Sequence, residues 1–131
     1  MKALSIRQPW AAAILYAGKR IENRTWYSGF RGEFLLHAGQ TFDRDTDLDF
    51  GGTLPDNADP YSPVNRGALL GVATITACIL VSAVPHDQRR WAIGPWCFVL
   101  ANVRVFAQPI PYKGRLGFFD IPDTFCNSFL R

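Results

Sequence analysis

The mostly apolar residues 3–6 (ALSI) predict a short strand, and the run at residues 10–17 (WAAAILYA) predicts a helix. Pro9 suits the first turn of that helix because its missing amide is not needed there, and Gly18 stops it. Residues 20–26 (RIENRTW) and 33–37 (EFLLH) predict two further strands around a turn at 27–32. Residues 67–86 (GALLGVATITACILVSAVPH) carry no Asp, Glu, Lys or Arg and approach the length of a membrane span. Within them Ala73, Ile75, Ala77, Ile79 and Val81 share one parity and Val72, Thr74, Thr76, Cys78 and Leu80 the other, with β-branched residues prominent. That pattern predicts a buried strand bent at Gly71 rather than a membrane helix. Residues 96–106 and 118–121 complete the strands, residues 108–117 (QPIPYKGRLG) form a loop with turns at Pro109, Pro111 and Gly114, and residues 123–130 form a terminal helix or an irregular tail. Five or six strands and one early helix predict an α+β fold, a small mixed barrel or curled sheet.

Length sharpens this to one domain over residues 1–131, since the chain is too short to divide comfortably. A hydrophobic share of 48% with 19% charged residues excludes a disordered tail, a collagen-like fibre and a coiled coil. The net charge of +3 is too mild to point to a polyanion, but its distribution is uneven. Residues 43–60 hold six aspartates against Arg44, five negative charges net, so the rest of the chain carries eight positive ones. That acidic segment reads as a surface insertion with at most one helical turn around residues 43–50. Eleven of the fourteen basic residues are Arg, whose planar fork suits phosphates and base edges, so an anionic or nucleotide-like ligand enters consideration.

Cys78, Cys97 and Cys126 lie far apart without a CxxC pair, so neither a disulfide framework nor a zinc site is signalled. Buried thiols in a reducing cytoplasm are expected. The first ten residues lack the apolar core of a signal peptide, so no export is expected and a cytoplasmic location is. No metal and no cofactor is expected either: His37 and His86 are the only histidines, no Gly-rich phosphate loop is present, and no GxSxG motif supports a nucleophilic triad.

The densest polar cluster is Lys19-Arg20-Ile21-Glu22-Asn23-Arg24. On an extended segment Glu22 and Arg24 share a face, about 6.5 to 7 Å apart, and Lys19 reaches toward the same space. A cation, a carboxylate and a guanidinium so placed can bind a base edge and a phosphate or supply acid and base; the plain alternative is an exposed ion pair worth little. Arg7 and Gln8 precede the helix, whose free amides attract anions, while Trp10 either stacks on a base or belongs to the core, with Gln8 or Ser5 as a cap. Trp26 carries the same alternatives, and Trp91 and Trp96 read as packing residues. His37 ends a strand, where a satisfied structural histidine is the commoner reading. Lys113 and Arg115 lie on the Pro- and Gly-rich loop, which can press its backbone against a ligand or simply be a solvated turn.

Residues 4–11 (LSIRQPWA), 19–26 (KRIENRTW), 31–39 (RGEFLLHAG) and 109–121 (PIPYKGRLGFFDI) together resemble the ASCH domain family, in order and across almost the whole chain. The resemblance implies a PUA-like fold, a small mixed β-barrel with flanking helices, and a cleft beside the first helix where the K-x-x-E-x-R pattern matches Lys19, Glu22 and Arg24. It implies RNA or a nucleotide as partner; with the residue reading above, Arg7, Gln8, Pro9, Trp10, Lys19, Glu22, Arg24, Trp26, His37, Lys113 and Arg115 are the expected ligand-binding residues, and no membrane partner is expected. Some bacterial members hydrolyse N4-acetylcytidine with a Lys, a Thr and a Glu. Lys19 matches that Lys, Glu22 stands where the Thr would be, and residues 67–86 offer no carboxylate for the third. The leading expectation is therefore an RNA- or nucleotide-binding module. The alternatives are a hydrolase acting on a modified nucleoside or on RNA, with Lys19 and Glu22 as catalytic pair, and a protein-interaction module using the acidic loop.

Overall fold

The computed structural model describes residues 1–44, 48, 50, 52 and 54–130. Six strands form one sheet: β1 (Lys2–Gln8), β2 (Ile21–Arg24), β3 (Gly32–Phe42), β4 (Ala68–Leu80), β5 (Trp96–Pro111) and β6 (Phe118–Asp120), in the order β2-β5-β4-β3-β1-β6. Helix α1 (Trp10–Tyr16) links β1 to β2, and α2 (Asp123–Cys126) follows β6. β1 and β3 run parallel with Ser5 opposite His37, whereas the other neighbours are antiparallel.

Alternation along the strands buries both faces of the sheet. Leu4, Ile6, Phe34, Leu36, Ile75 and Phe98 pack with Ala11 and Ile14 of α1, while Ala3, Leu35, Leu69, Val72 and Phe119 pack on the other side with Ile121 and Cys126. The charge-free stretch supplies β4, which ends at Leu80; Val81–Ala83 and His86–Trp91 then form 3-10 turns that the strand pattern did not foretell. Register shifts flank Gly71 on both neighbours, where the bend is expected, and a Cβ there would lie 2.3 Å from the Arg104 carbonyl oxygen. Only glycine admits that approach. Among the described residues no helix is long and apolar enough to cross a membrane.

The expected barrel is corrected. Among the described residues no backbone ladder joins the edge strands β2 and β6, so the sheet curls without closing. Side chains occupy the gap instead. The Trp26 ring meets Phe98 edge-on at 5.3 Å and Phe118 at 5.8 Å, and Phe98 and Phe118 stack at 6.0 Å, so aromatic contact replaces the missing hydrogen bonds. β5 also continues to Pro111, further than residue 106, because its partner β4 pairs with it that far. The helical turn expected around residues 43–50 falls largely outside the described residues. Leu48 and Phe50 of that segment pack against a cluster of Ala13, Ile21, Val84, Trp91 and Cys97.

Candidate functional site

Where the curled sheet stays open, the ends of β1, β2 and β3, the start of α1 and the loops at residues 90–94 and 112–117 surround a cleft of about 1210 Å³. That exceeds the few hundred Å³ that hold a small ligand. Lys19, Glu22 and Arg24 form its polar floor. The Lys19 side chain is only 2% exposed; its Nζ donates to the Ile21 carbonyl and lies 3.4 Å from Glu22 Oε1. Glu22 Oε2 forms an ion pair with Arg24 Nη2 at 2.9 Å, and the same Nη2 donates to the Ser5 carbonyl at 2.8 Å. Burial lowers the pKa of the Lys19 ammonium, Glu22 opposes the shift, and Arg24 adds to it. In place of the exposed ion pair that was the plain alternative, the cluster is a chain of cation, anion and cation with Lys19 and Glu22 buried and Arg24 half-buried.

Asn23, on the opposite parity, does not face its neighbours' partners but holds a wall of the cleft. Its Oδ1 accepts from the Ile93 and Gly94 amides at 2.8 and 2.9 Å, and its Nδ2 donates to the Trp91 carbonyl at 2.9 Å. Trp91 is buried, as a packing residue should be, yet it also lines the cleft, and the Arg90 guanidinium lies 4.1 Å from its ring centroid. Trp10 is half-buried and keeps both of its readings: it packs on the core, lines the cleft, and stands 5.8 Å from Lys19 Nζ.

Nine of the eleven residues singled out from sequence line this one cleft: Arg7, Trp10, Lys19, Glu22, Arg24, Trp26, His37, Lys113 and Arg115. Gln8 and Pro9 stand outside it. Gln8 is buried, its Oε1 accepting from the Ala12 amide at 2.9 Å and its Nε2 donating to the Asn65 carbonyl at 3.1 Å, beside a separate hollow of about 30 Å³. The helix-start amide it caps is thereby taken from any anion.

His37 is 1% exposed, with Nδ1 2.9 Å from Ser5 Oγ and Nε2 2.6 Å from the Tyr112 carbonyl oxygen. Burial lowers its pKa below the ordinary imidazole value, against the pull of the Tyr112 carbonyl. Gly114 lies directly over the pair: a Cβ there would come within 2.7 Å of both His37 Cε1 and Ser5 Oγ. At the rim Arg7, Arg90, Lys113 and Arg115 are exposed, and among the described residues none of the four has a carboxylate partner. Sequence reasoning missed Ser5, Asn23, Arg90, Tyr112 and Gly114 as cleft residues. The one available signal was parity, which sets Ser5 and Arg7 on the same face of β1.

The ASCH domain pattern matches residues 4–110. Activating signal cointegrator 1 of Homo sapiens is 25% identical over 130 residues, covering 86% of this chain and 21% of that protein, so the chain spans about a fifth of that relative's length. The crystal structure of ASCH from Zymomonas mobilis superposes with a TM-score of 0.53 over 96% of this chain and 90% of that one, at 14% identity, which is a likeness of fold.

Proposed function

Because the chain belongs to the ASCH domain family, we propose that its cleft binds RNA or a nucleotide. The observation that carries this reading is one large cleft with a Lys19-Glu22-Arg24 floor, its Lys19 and Glu22 buried, beneath four exposed cations that have no carboxylate partner among the described residues. The floor offers donors and an acceptor to the polar edge of a base, the half-buried Trp10 a face for stacking, and Arg7, Arg90, Lys113 and Arg115 their charges to phosphates. Trp26 contributes as a wall, since its ring already packs against Phe98 and Phe118. A cytoplasmic setting accords with Cys78, Cys97 and Cys126, all buried and free.

Fluorescence anisotropy with a labelled single-stranded RNA tests the reading. The Lys113→Ala, Arg115→Ala protein should bind it markedly more weakly, and so should Lys19→Ala, Arg24→Ala once its folding is verified. Unchanged affinity in both would overturn the assignment.

A hydrolytic reading draws on one observation, the buried Lys19 with its lowered pKa against Glu22, because strongly perturbed groups in a cleft mark functional chemistry. In it Lys19 and Glu22 exchange a proton with a modified nucleoside, such as an N4-acylated cytidine, or with RNA. Absence of product from such substrates at high protein concentration removes this reading and leaves binding intact.

A further inference from the structure

Ser5 and His37 belong to neighbouring parallel strands and face each other in register, so the backbone itself sets their side chains together. The hydrogen-bond pattern fixes the imidazole. Nε2 lies 2.6 Å from the Tyr112 carbonyl oxygen, which can only accept, so Nε2 carries the proton. In the neutral ring favoured by burial, Nδ1 then presents a lone pair, and the Ser5 hydroxyl, at 2.9 Å, donates to it. A hydroxyl donating to a neutral imidazole whose other nitrogen is held by a backbone acceptor is the nucleophile, base and orienting group of acyl-transfer sites. No local motif announces it, because the three groups come from β1, β3 and the loop after β5.

Both residues line the large cleft. Arg24 Nη2 donates to the Ser5 carbonyl at 2.8 Å, and Gly114, between Lys113 and Arg115 in the chain, packs closely against the pair.

We propose that Ser5 is a nucleophile with His37 as its general base, and that the cleft hydrolyses a carboxylic ester carried on an anionic molecule. Ser5 Oγ bonds to the ester carbonyl carbon while its proton passes to His37 Nδ1. The carbon–oxygen bond to the alcohol breaks, and the alcohol leaves with that proton. Water then attacks the acyl-Ser5, giving its proton to His37, and the carboxylic acid departs as the proton returns to Ser5 Oγ. An ester suits the site better than an amide, because a carbonyl orients the imidazole less strongly than a carboxylate does. The anionic character of the substrate rests on the binding reading above; the Ser–His pair does not.

4-Nitrophenyl acetate and a fluorophosphonate probe test the pair without any nucleic acid. Wild-type protein should release one equivalent of nitrophenolate rapidly and carry the acetyl or phosphonyl group on Ser5 by peptide mapping. Ser5→Ala should carry none there. His37→Gln keeps a donor for the Tyr112 carbonyl and removes the base, so labelling should slow by about a hundredfold or more. With wild type, the rate should rise with pH through one ionisation below the ordinary imidazole range; the groups facing His37 are the Ser5 hydroxyl, the Tyr112 carbonyl, Gly114 and the Phe119 ring, and Glu22, Arg24, Asp43, Lys113 and Arg115 are charged residues lining the same cleft. Label confined to lysines or the amino terminus, or equal labelling in folded His37→Gln, overturns the proposal. RNA binding by the wild type is measured alongside: binding without acylation overturns the pair alone, and acylation without binding overturns the RNA reading alone.

Discussion

Arg24 Nη2 donates to the Ser5 carbonyl oxygen at 2.8 Å, reaching from the edge strand β2 to β1, which lies beside the opposite edge strand β6. With no ladder between β2 and β6, this bond and the Trp26 contacts hold the sheet in its curl and give the cleft its floor. Arg24→Lys offers one compact ammonium where a planar fork serves both Ser5 and Glu22. It should destabilise the fold by about 1.5 to 3 kcal/mol, as expected for losing a hydrogen bond from a charged group. Urea unfolding with the midpoint unmoved would count against that role.

Glu22 separates two cations in a nearly dry floor. Glu22→Gln keeps a contact to Arg24 but leaves Lys19 without its counter-charge, and breaking a buried pair from one side costs about 3 to 5 kcal/mol. A fall in melting temperature on the order of 10 °C follows. Adding Lys19→Met should recover part of it, and strict additivity of the two changes would show that they are uncoupled.

His37 makes stability depend on pH. Its folded pKa lies below the ordinary 6.5 of the unfolded chain, so the unfolded state takes up the proton first as pH falls. Its contribution is complete above about 6.5 and is lost progressively as pH drops toward the folded value. In differential scanning calorimetry, His37→Gln should flatten the descent of the melting temperature over that window relative to wild type. An identical pH profile in the two proteins would sink the assignment.

The rim cations should reveal themselves through salt. Each phosphate neutralised on a single strand contributes about 0.7 to the slope of log K against log salt concentration. Removing Lys113 and Arg115 together should lower the magnitude of that slope by about 1.4 while the base preference stays the same. A weaker affinity with the wild-type slope would mean that these residues act on loop structure rather than on phosphate.

Gly114 is required by space, not by backbone angle. Its Cβ would overlap both Ser5 and His37, and His37 is pinned at both nitrogens, so Gly114→Ala must lift the loop. A cost of about 1 to 3 kcal/mol is expected, with faster hydrogen exchange at residues 112–117. Unaltered exchange there would show that the pair yields instead.

Much of the cleft was legible in the chain. Glu22 and Arg24 share a face because strand parity has a period of two, and Pro9, Trp10 and Gly18 bracket α1 from local preference alone. Gln8 was not legible: whether a glutamine before a helix meets a ligand or caps the first turn depends on the Asn65 carbonyl, which arrives from a distant segment. Likewise Asn23 reads as one more polar residue until the segment at 91–94 folds against it.

The sequence by itself determined the strands, the early helix, the charge-free β4 and the concentration of cations outside the acidic segment, because each follows from local periodicity, propensity or counting. Only the tertiary structure decided that the sheet stays open, that Lys19 and Glu22 are buried beside Arg24, and that Ser5 meets His37 against Gly114. Those depend on register and on which distant backbone groups arrive to satisfy each polar atom, and no local pattern encodes that.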